Sequence, residues 1–478
     1  MQYHLRLCLL LLTLPLSSCI PIRAQIQPTL FIPPKQSTIS ITNNPTSTYS
    51  PQSTIEISTT KTHTSTPLPP LPTPTSATAS PTQQTQIEKE PPLAIGNTPF
   101  SSSLLPDSEL VYCSSSLDFN VTEYLSQKDG FLSTHRQYLM ITGWTRSSDV
   151  VARVALENSI NPRLLLALLE YQSGCVLGPL QEDATFEYAL NATQNYRKDL
   201  YGQLVWAAHE LSEGYYGWIT GALDEFPLSS GKIVRPDPEL NAATVALEYF
   251  FAQLYDEEGW EQALDPINGF PALYEEMFGN PWTRAQQIEP LLPSDLTQPT
   301  LTLPFEAGKI WAYTGGPHRA FENNGPWAAL DFAPSIEESG CYSSNTWVVA
   351  MTDGRVVRSE FGTVIQDLDG DGQEQTGWVL MYLHIEDRDR VPLGTYLQAG
   401  DRIGHPSCEG GHATGTHVHI ARKYNGQWIP ADGTIPFVLD GWTAHAGDFP
   451  YDGTLTKDDR TIIAHPYGSF ETHIIRDE

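Results

Sequence analysis

The sequence predicts a multidomain α+β protein, with an all-α domain over residues 99–292 followed by a mostly antiparallel β domain over residues 300–478. Three observations support this fold class. The chain has 478 residues, which is enough for two or three domains. Apolar residues recur at helical spacing in the first range. In the second range, β-branched and aromatic residues form short strand-like runs.

Residues 1–19 have the pattern of an export signal. The stretch "MQYHLRLCLLLLTLPLSSC" combines Arg6, a leucine-rich run and small residues before a cysteine. Its end, from Leu16 to Cys19, resembles a bacterial lipobox. The resemblance implies a membrane-anchored lipoprotein on the extracytoplasmic side of the cell envelope, lipidated at Cys19. An ordinary cleaved signal is the alternative, and both imply export.

The next segment, residues 20–98, is rich in proline, serine and threonine, as in "TSTPLPPLPTPTSATASPTQQTQ". Such a composition offers little apolar surface for a core, so we expect a disordered and extended tether. It would suit an anchored protein that reaches away from a membrane.

The helical domain is predicted from two amphipathic stretches. In "SSDVVARVALENSINPRLLLALLEYQSG" a Ser/Asp cap precedes the first apolar run, and Asn161-Pro162 ends one helix and begins the next. The stretch "NAATVALEYFFAQLYDEEGWEQAL" predicts another amphipathic helix.

Four cysteines follow the signal region, two in each half of the chain. In an oxidising compartment the simplest pairing is Cys113–Cys175 and Cys341–Cys408, one disulfide in each domain. Sequence alone does not exclude the other pairings. A cysteine-ligated zinc site is disfavoured because no C-x-x-C spacing occurs.

The β domain is predicted from runs such as "TWVVAMTDGRVVRSEFGTVIQDL", "GWVLMYLHI" and "THVHIARKYNGQWIP". Asp353-Gly354 and Asn425-Gly426 are hairpin-turn signals between such runs. The segment "DLDGDGQEQTGW" has aspartates at positions typical of a calcium loop, but Trp378 stands where a glutamate is needed. We therefore interpret it as a polar hairpin tip, and a weak Ca²⁺ site at Asp367, Asp369 and Asp371 is the alternative.

The charge and hydropathy of the chain argue against two classes of partner. A net charge of −29 disfavours nucleic acid and anionic membrane surfaces. After the N-terminus no apolar stretch reaches the roughly 18 residues of a spanning helix. A membrane would be reached only through the lipid anchor.

Histidines near the C-terminus carry the strongest functional signal. His417 and His419 in "HVH" lie on one face of a strand, because successive side chains alternate. Alone, this pattern would be consistent with two surface histidines. Upstream, however, stand His318 and Asp331, and His384 ends an apolar strand. Two imidazoles and one carboxylate form a three-ligand zinc set that leaves a fourth position for water.

These motifs, in this order, resemble peptidase family M23, the lysostaphin/LytM-type zinc endopeptidases, over about residues 310–430. The common H-x-x-x-D motif is absent, since Trp327 stands four residues before Asp331. The wider spacing after "GGPH", together with "CEGGHATGTHVHI", is similar to the β-lytic/staphylolysin branch.

The resemblance implies a Zn²⁺-dependent endopeptidase that cuts peptide cross-links of peptidoglycan. It implies metal ligands at His318, Asp331 and His419, and catalytic roles for His384 and His417. The alternative is a catalytically silent cell-wall binding or regulatory lipoprotein, which the intact motifs disfavour. We also expect Arg319 and Tyr382 to line the cleft, as lesser candidates.

The helical domain resembles lysozyme-like lytic transglycosylases, whose first helix ends in Glu-Ser-Gly. Here Gln172 takes the place of that glutamate, and an amide cannot act as a general acid. Glu170 should face elsewhere on the helix. We interpret the domain as a silent glycan-binding module, with "GYYGW" (214–218) as a source of stacking aromatics. A purely structural domain is the alternative.

Overall fold

A computed structural model describes residues 97, 99–180, 186–193, 197–335 and 339–477. The predicted signal, its Cys19 and nearly all of the tether lie outside these residues, so those predictions remain predictions. Residues 88–478 form one compact unit. In the described part, no helix has both the length and the hydropathy of a membrane span.

The region before residue 292 is helical but not all-α. Its helices are α1 Val121–Ser126, α2 Ser147–Asn158, α3 Pro162–Ser173, α4 Asp199–Thr220, α5 Ala242–Ala252, α6 Glu257–Ala263, α7 Phe270–Phe278 and α8 Pro281–Ala285. Two short antiparallel hairpins interrupt them, built from β1 Arg136–Leu139, β2 Gly143–Arg146, β3 Phe226–Pro227 and β4 Ile233–Val234. The prediction of an all-α domain is therefore wrong in this detail, and its lysozyme-like character stays a prediction.

The break between α2 and α3 is confirmed, and local chemistry explains it. The Asn161 side chain caps α3 by accepting a hydrogen bond from the Arg163 N–H at 2.9 Å. Pro162 occupies the first turn, where its missing N–H costs nothing. Gly174 ends the helix in the left-handed conformation, at φ +64°.

The predicted pairing of Cys113 with Cys175 is wrong. Both thiols are free and buried, and each lies against a different backbone carbonyl: Cys113 Sγ is 3.3 Å from Ser108 O, and Cys175 Sγ is 3.8 Å from Leu169 O. Burial raises the pKa of both thiols. Cys341–Cys408 is confirmed as a disulfide. The even number of cysteines therefore predicted a disulfide correctly only for Cys341 and Cys408, which the fold brings together.

The region after residue 300 is mostly antiparallel β, as predicted. Its strands are β5 Ile310–Phe321, β6 Asn324–Pro334, β7 Val348–Val349, β8 Gly354–Glu360, β9 Thr363–Asp367, β10 Trp378–Leu383, β11 Tyr396–Leu397, β12 Arg402–Gly404, β13 Val418–Tyr424, β14 Gln427–Trp428, β15 Val438–Leu439, β16 Trp442–Ala446, β17 Gly453–Lys457, β18 Arg460–Ile463 and β19 His473–Ile475. The main sheet has the order β11-β8-β9-β10-β13-β6-β5-β19, with β14 paired to β13. A smaller sheet, β15-β16-β17-β18, accompanies it.

Of the two predicted hairpin turns, one is confirmed and one is wrong. Asn425-Gly426 forms the two-residue turn between β13 and β14. Asp353-Gly354 does not join two paired strands, because β7 pairs with β12 whereas β8 pairs with β9. The aspartate-rich segment joins the paired strands β9 and β10, which confirms the hairpin. Its Asp367, Asp369 and Asp371 carboxylates approach one another within 4.8 Å and accept hydrogen bonds from loop N–H groups.

The helical and β-rich regions share a hydrophobic core. Tyr215 and Tyr216 of "GYYGW" are 1% and 5% exposed, so neither can serve as a sugar-stacking platform. Instead, Tyr215 Oη donates to Gln427 Oε1 at 3.2 Å, and Tyr216 Oη accepts from the Trp428 N–H at 3.0 Å. The packing interpretation therefore holds for the two tyrosines. Trp218 is half-buried and its Nε1 donates to Leu240 O at 3.1 Å, and glycan binding by the domain stays a prediction.

Gln172 and Glu170 both serve local structure. Gln172 is buried, and its Oε1 accepts hydrogen bonds from Asn191 Nδ2 at 3.0 Å and Tyr255 Oη at 2.9 Å. Glu170 Oε2 accepts from the backbone N–H groups of Val176 and Leu177 at 2.8 and 2.9 Å. The amide is therefore held within the fold, and the carboxylate supports the loop that follows α3.

Candidate metal centre

Three neighbouring strands bring His318, Asp331 and His419 together. Asp331 on β6 lies directly opposite His419 on β13, and His318 is on the adjacent strand β5. Asp331 Oδ1 is 3.4 Å from His318 Nε2 and 3.2 Å from His419 Nδ1. The two nitrogens are 3.0 Å apart. All three side chains are buried, and this group is one that could hold a metal ion.

Gly315 explains how the carboxylate reaches this position. It is the residue opposite Asp331 on β5, and a Cβ added there would lie 2.7 Å from Asp331 Oδ2. Register shifts follow along the β5–β6 ladder, between Gly315 and His318 and again beyond it. These irregularities in the β5–β6 pairing turn the His318 side chain toward the Asp331 carboxylate.

The hydrogen bonds of the two imidazoles fix which nitrogen faces the centre with a lone pair. His318 Nδ1 is 2.8 Å from Gly316 O, and His419 Nε2 is 2.9 Å from Ala320 O. A carbonyl oxygen can only accept, so these nitrogens carry the protons. In the neutral form of each ring, the lone pairs of His318 Nε2 and His419 Nδ1 therefore face each other and Asp331.

Such a convergence of donor atoms favours a bound cation. Asp331 Oδ1 is buried and forms no hydrogen bond with any described residue. Burial alone would raise the pKa of the Asp331 carboxyl, but the adjacent His318 and His417 rings hold that pKa well below its usual range. Burial lowers the pKa of His419 despite the nearby Asp331. A carboxylate and two neutral imidazoles are a donor set that suits zinc.

His384 and His417 stand beside the three ligands. Their ring centroids are 4.4 Å apart, and His417 Nε2 is 3.7 Å from Asp331 Oδ2. His384 Nδ1 donates to Glu409 O at 2.8 Å and His417 Nδ1 donates to Gly415 O at 2.7 Å. In the neutral form of each ring, the lone pair is therefore on Nε2. Burial, together with His417 and His419, lowers the pKa of His384 to about 3.

The backbone at His384 is in the left-handed conformation, with φ +66°. For a residue other than glycine this conformation costs about 1–2 kcal/mol. It falls immediately after β10, where Leu383 is paired with His419. The turn redirects the side chain from the sheet toward His417, so the strained residue is one of the predicted catalytic histidines.

One neighbour of the centre was missed by the sequence reasoning. The Tyr451 ring stacks on His318, with centroids 4.1 Å apart and planes at 21°. Tyr451 lies more than 130 residues from His318 in the sequence, in a loop without a recognisable motif. It also borders a cleft of about 740 Å³ next to the metal ligands, whose wall includes Tyr342, His417, Tyr467 and Phe470.

The two lesser candidates lie elsewhere. Arg319 pairs with Glu213 of α4 and donates to Gly325 O at 3.0 Å, so it joins the helical and β-rich regions. Tyr382 is buried, and its Oη accepts from the Met351 N–H and donates to Gln366 Oε1, both at 2.8 Å. Neither residue lines the cleft beside the ligands, and both predictions are wrong.

Comparison with known proteins matches both halves of the chain. Residues 103–291 match the family model of the LasA N-terminal domain. Protease LasA of Pseudomonas aeruginosa is 26% identical over 300 residues, which is 58% of this chain and 65% of that protein. The match thus spans less than two-thirds of LasA.

Two further relatives match the C-terminal part of the chain. The beta-lytic metalloendopeptidase of Lysobacter enzymogenes is 27% identical over 159 residues, covering 33% of this chain and 85% of that enzyme. The solved M23 metalloprotease pseudoalterin, from the deep sea, is 25% identical, with a TM-score of 0.29, and covers 36% of this chain and 96% of its own. The sequence matches show that the chain is a homologue of LasA and of the beta-lytic metalloendopeptidases, which confirms the resemblance to this branch of the M23 peptidases.

Proposed function

We propose that this protein is a zinc-dependent endopeptidase that hydrolyses peptide cross-links of bacterial peptidoglycan. The observation that carries the proposal is the convergence of one carboxylate and two imidazole lone pairs within 4.8 Å of one another in a buried site. The proposed ligands are His318, Asp331 and His419. The alternative, a silent wall-binding lipoprotein, would not need this donor set to be intact.

The mechanism assigns a separate task to each group of side chains. A zinc ion bound by the three ligands would supply a Lewis acid that polarises a peptide carbonyl and lowers the pKa of water. The backbone carbonyls at Gly316 and Ala320 hold the ligand imidazoles in the required tautomers. Tyr451 limits the rotation of His318 by stacking on it.

His384 and His417 transfer the proton of the attacking water and stabilise the negative charge that develops on the carbonyl oxygen. Each has its Nδ1–H committed to a backbone carbonyl, so Nε2 is the atom that can accept a proton from water and deliver it to the leaving amine. A ring that receives the proton can also stabilise the oxyanion. Because the two rings are adjacent, one can hold the proton while its neighbour donates a hydrogen bond.

The substrate and location are proposed from the family. Peptidoglycan as substrate rests on the resemblance to wall-cutting M23 peptidases and on the similarity to LasA and the beta-lytic enzyme. Export is supported by the Cys341–Cys408 disulfide, since disulfides persist in oxidising compartments. Anchoring through Cys19 remains part of this proposal.

The test uses the full chain, because the two regions share a core. Zinc content is measured after dialysis, and release of new amines from peptidoglycan is followed with and without chelator. We expect bound zinc and chelator-sensitive release. His419→Ala should lose zinc, whereas His384→Ala should keep zinc and lose turnover. Retention of wild-type rates in both variants would refute the assigned roles. A protein that holds no zinc and releases nothing, yet sediments with wall material, would favour the alternative.

A further inference from the structure

His384 and His417 reach the proposed site from separate segments, so their relative position depends on what connects those segments. His384 directly follows β10, whereas His417 directly precedes β13. Both hydrogen-bond to one residue of a third segment, Ser407, which is 6% exposed. The Ser407 N–H donates to His384 O at 2.7 Å, and Ser407 O accepts from the His417 N–H at 3.3 Å. Ser407 is therefore a backbone partner that the two proposed catalytic histidines share.

The Ser407 hydroxyl makes a second bond to the same turn. Ser407 Oγ donates to His384 O at 3.0 Å, so this carbonyl accepts two hydrogen bonds from one residue. The carbonyl belongs to the left-handed turn at φ +66°, a conformation that residues other than glycine seldom adopt. A strained backbone persists only where its surroundings hold it. Because both bonds act on the strained residue itself, loss of the hydroxyl would remove half of this support.

The same hydroxyl supports the His384 imidazole through Glu409. Ser407 Oγ accepts from the Glu409 N–H at 3.0 Å, and Glu409 O accepts from His384 Nδ1 at 2.8 Å. One hydroxyl thus acts on both ends of His384, on its carbonyl directly and on its ring through the Glu409 backbone. The ring contact matters because the Nδ1 bond leaves the lone pair of the neutral ring on Nε2, the atom proposed to accept the proton.

The segment that carries Ser407 is also linked to the residues before His417. The next residue, Cys408, forms the disulfide with Cys341. The neighbours of Cys341 on both sides hydrogen-bond to Thr416, at 3.0 and 2.9 Å, and Thr416 directly precedes His417. Ser407 is therefore connected to His417 both by a direct backbone bond and through a covalent cross-link. Movement of Ser407 relative to His417 is restricted, so the hydroxyl holds His384 against a fixed reference.

We propose that Ser407 is the positioning residue of the histidine pair, and that its hydroxyl fixes His384 in the orientation toward His417 that proton transfer requires. Ser407 does not line the cleft beside the ligands, so it acts through His384 and not on the substrate. This inference rests on the proposed endopeptidase function, because the orientation affects a rate only if the pair transfers a proton. A displacement of about 1 Å at a reacting group can lower a rate about 100-fold.

The first test compares turnover of soluble peptidoglycan fragments by zinc-loaded full-chain variants. Ser407→Ala should keep its zinc and its KM, and its kcat should fall about 10- to 100-fold. Ser407→Thr keeps a hydroxyl at the same position and should recover most of this loss. The matched control is Ser359→Ala, which removes another hydroxyl of the β-rich region that donates to a backbone carbonyl, Val391 O at 2.6 Å. Its kcat and KM should equal those of the wild type.

The second test needs no turnover. NMR of the zinc-loaded full chain with isotope-labelled histidines, at one pH, reports which ring nitrogen of His384 carries the proton, and His384→Ala assigns the signal. The wild type and Ser407→Thr should hold the proton on Nδ1, whereas Ser407→Ala should show both tautomers.

Four results would overturn the proposal. They are a wild-type kcat and tautomer in Ser407→Ala, loss of zinc from that variant, no recovery in Ser407→Thr, and an equal loss in Ser359→Ala. If the wild-type protein cleaves no peptidoglycan, the proposed function fails, and the NMR result alone decides whether Ser407 orients His384.

Discussion

Substitution of Asp331 by alanine tests the metal centre through stability, without any assay of activity. In the wild type, zinc at 1,000 times its dissociation constant should stabilise the folded state by about 4 kcal/mol. Residues 88–478 form the compact unit. At roughly 2.1 cal/mol/K of unfolding entropy per residue, a unit of this size has about 0.8 kcal/mol/K. Zinc should therefore raise the melting temperature by about 5 °C.

The variant should lose most of this gain. A hundredfold loss of affinity would leave about 1.4 kcal/mol at the same zinc concentration, or about 2 °C. The zinc-dependent rise is compared within each protein, because Asp331→Ala also removes a carboxylate whose pKa the neighbouring histidines hold low, and this lowers stability even in chelator. Scanning calorimetry of both proteins, with zinc and with chelator, measures the four melting temperatures.

The control is Asp387→Ala, since the Asp387 side chain is 85% exposed on a surface loop of the same region. It should retain the full zinc-dependent rise. If Asp331→Ala showed the same rise as the wild type, the carboxylate would not be a ligand. The argument from converging lone pairs would then fail.

Three further predictions concern stability. Burial raises the pKa of Glu248 from 4.5 to about 8 in the folded state. As pH rises, Glu248 therefore loses its proton in the unfolded state first. Between these two pH values the free energy of unfolding should fall by about 1.4 kcal/mol per pH unit. Glu248→Gln should flatten this dependence in urea melts, and an unchanged slope would contradict the assignment. Glu374→Gln should lower the free energy of unfolding by about 3–5 kcal/mol in the same melts, because it leaves Arg358 and Lys423 without their carboxylate. A loss below about 1 kcal/mol would contradict this prediction. Replacing Cys341 and Cys408 by serine opens a link across 67 residues and should cost about 4 kcal/mol, with no further loss when reductant is added.

The helix boundaries were predictable because their signals are local. Asn161 and Pro162 act on the first turn of α3 through bonds that span only a few residues. The Asn425-Gly426 turn was predictable for the same reason. Asp353-Gly354 is the same kind of turn signal but lies between strands of different sheets. The choice of partner strand depends on long-range packing, which a dipeptide does not encode.

The residues of the proposed metal centre could be selected from the sequence, but their arrangement in space could not. The H-x-H spacing places His417 and His419 on one face, and the family resemblance supplied His318 and Asp331. The register of β6 against β13, which sets Asp331 opposite His419, has no local signal. Tyr451 was missed because a stacking contact between distant loops leaves no periodic pattern in the sequence.

The failed disulfide shows how composition can mislead. Cys113 and Cys175 fit an even count in an exported chain, but both are fully buried within the helical core. There a free thiol packs as a small apolar side chain. Pairing requires that two cysteines approach closely, as Cys341 and Cys408 do with Cα atoms 5.8 Å apart.

Strand β13 connects the proposed metal centre of the β-rich region with the surface that packs on the helical region. His419 near its start belongs to the proposed metal centre, and β14, which pairs with its end, packs on the helical region through the bond from the Trp428 N–H to Tyr216 Oη. At about 3.3 Å per residue, these ends are roughly 20 Å apart along a single hydrogen-bonded strand. On its other side, β6 carries Asp331 and contacts α4. Because the helical region packs on β6 and on β14, which pairs with β13, its removal should alter the arrangement of the proposed metal centre.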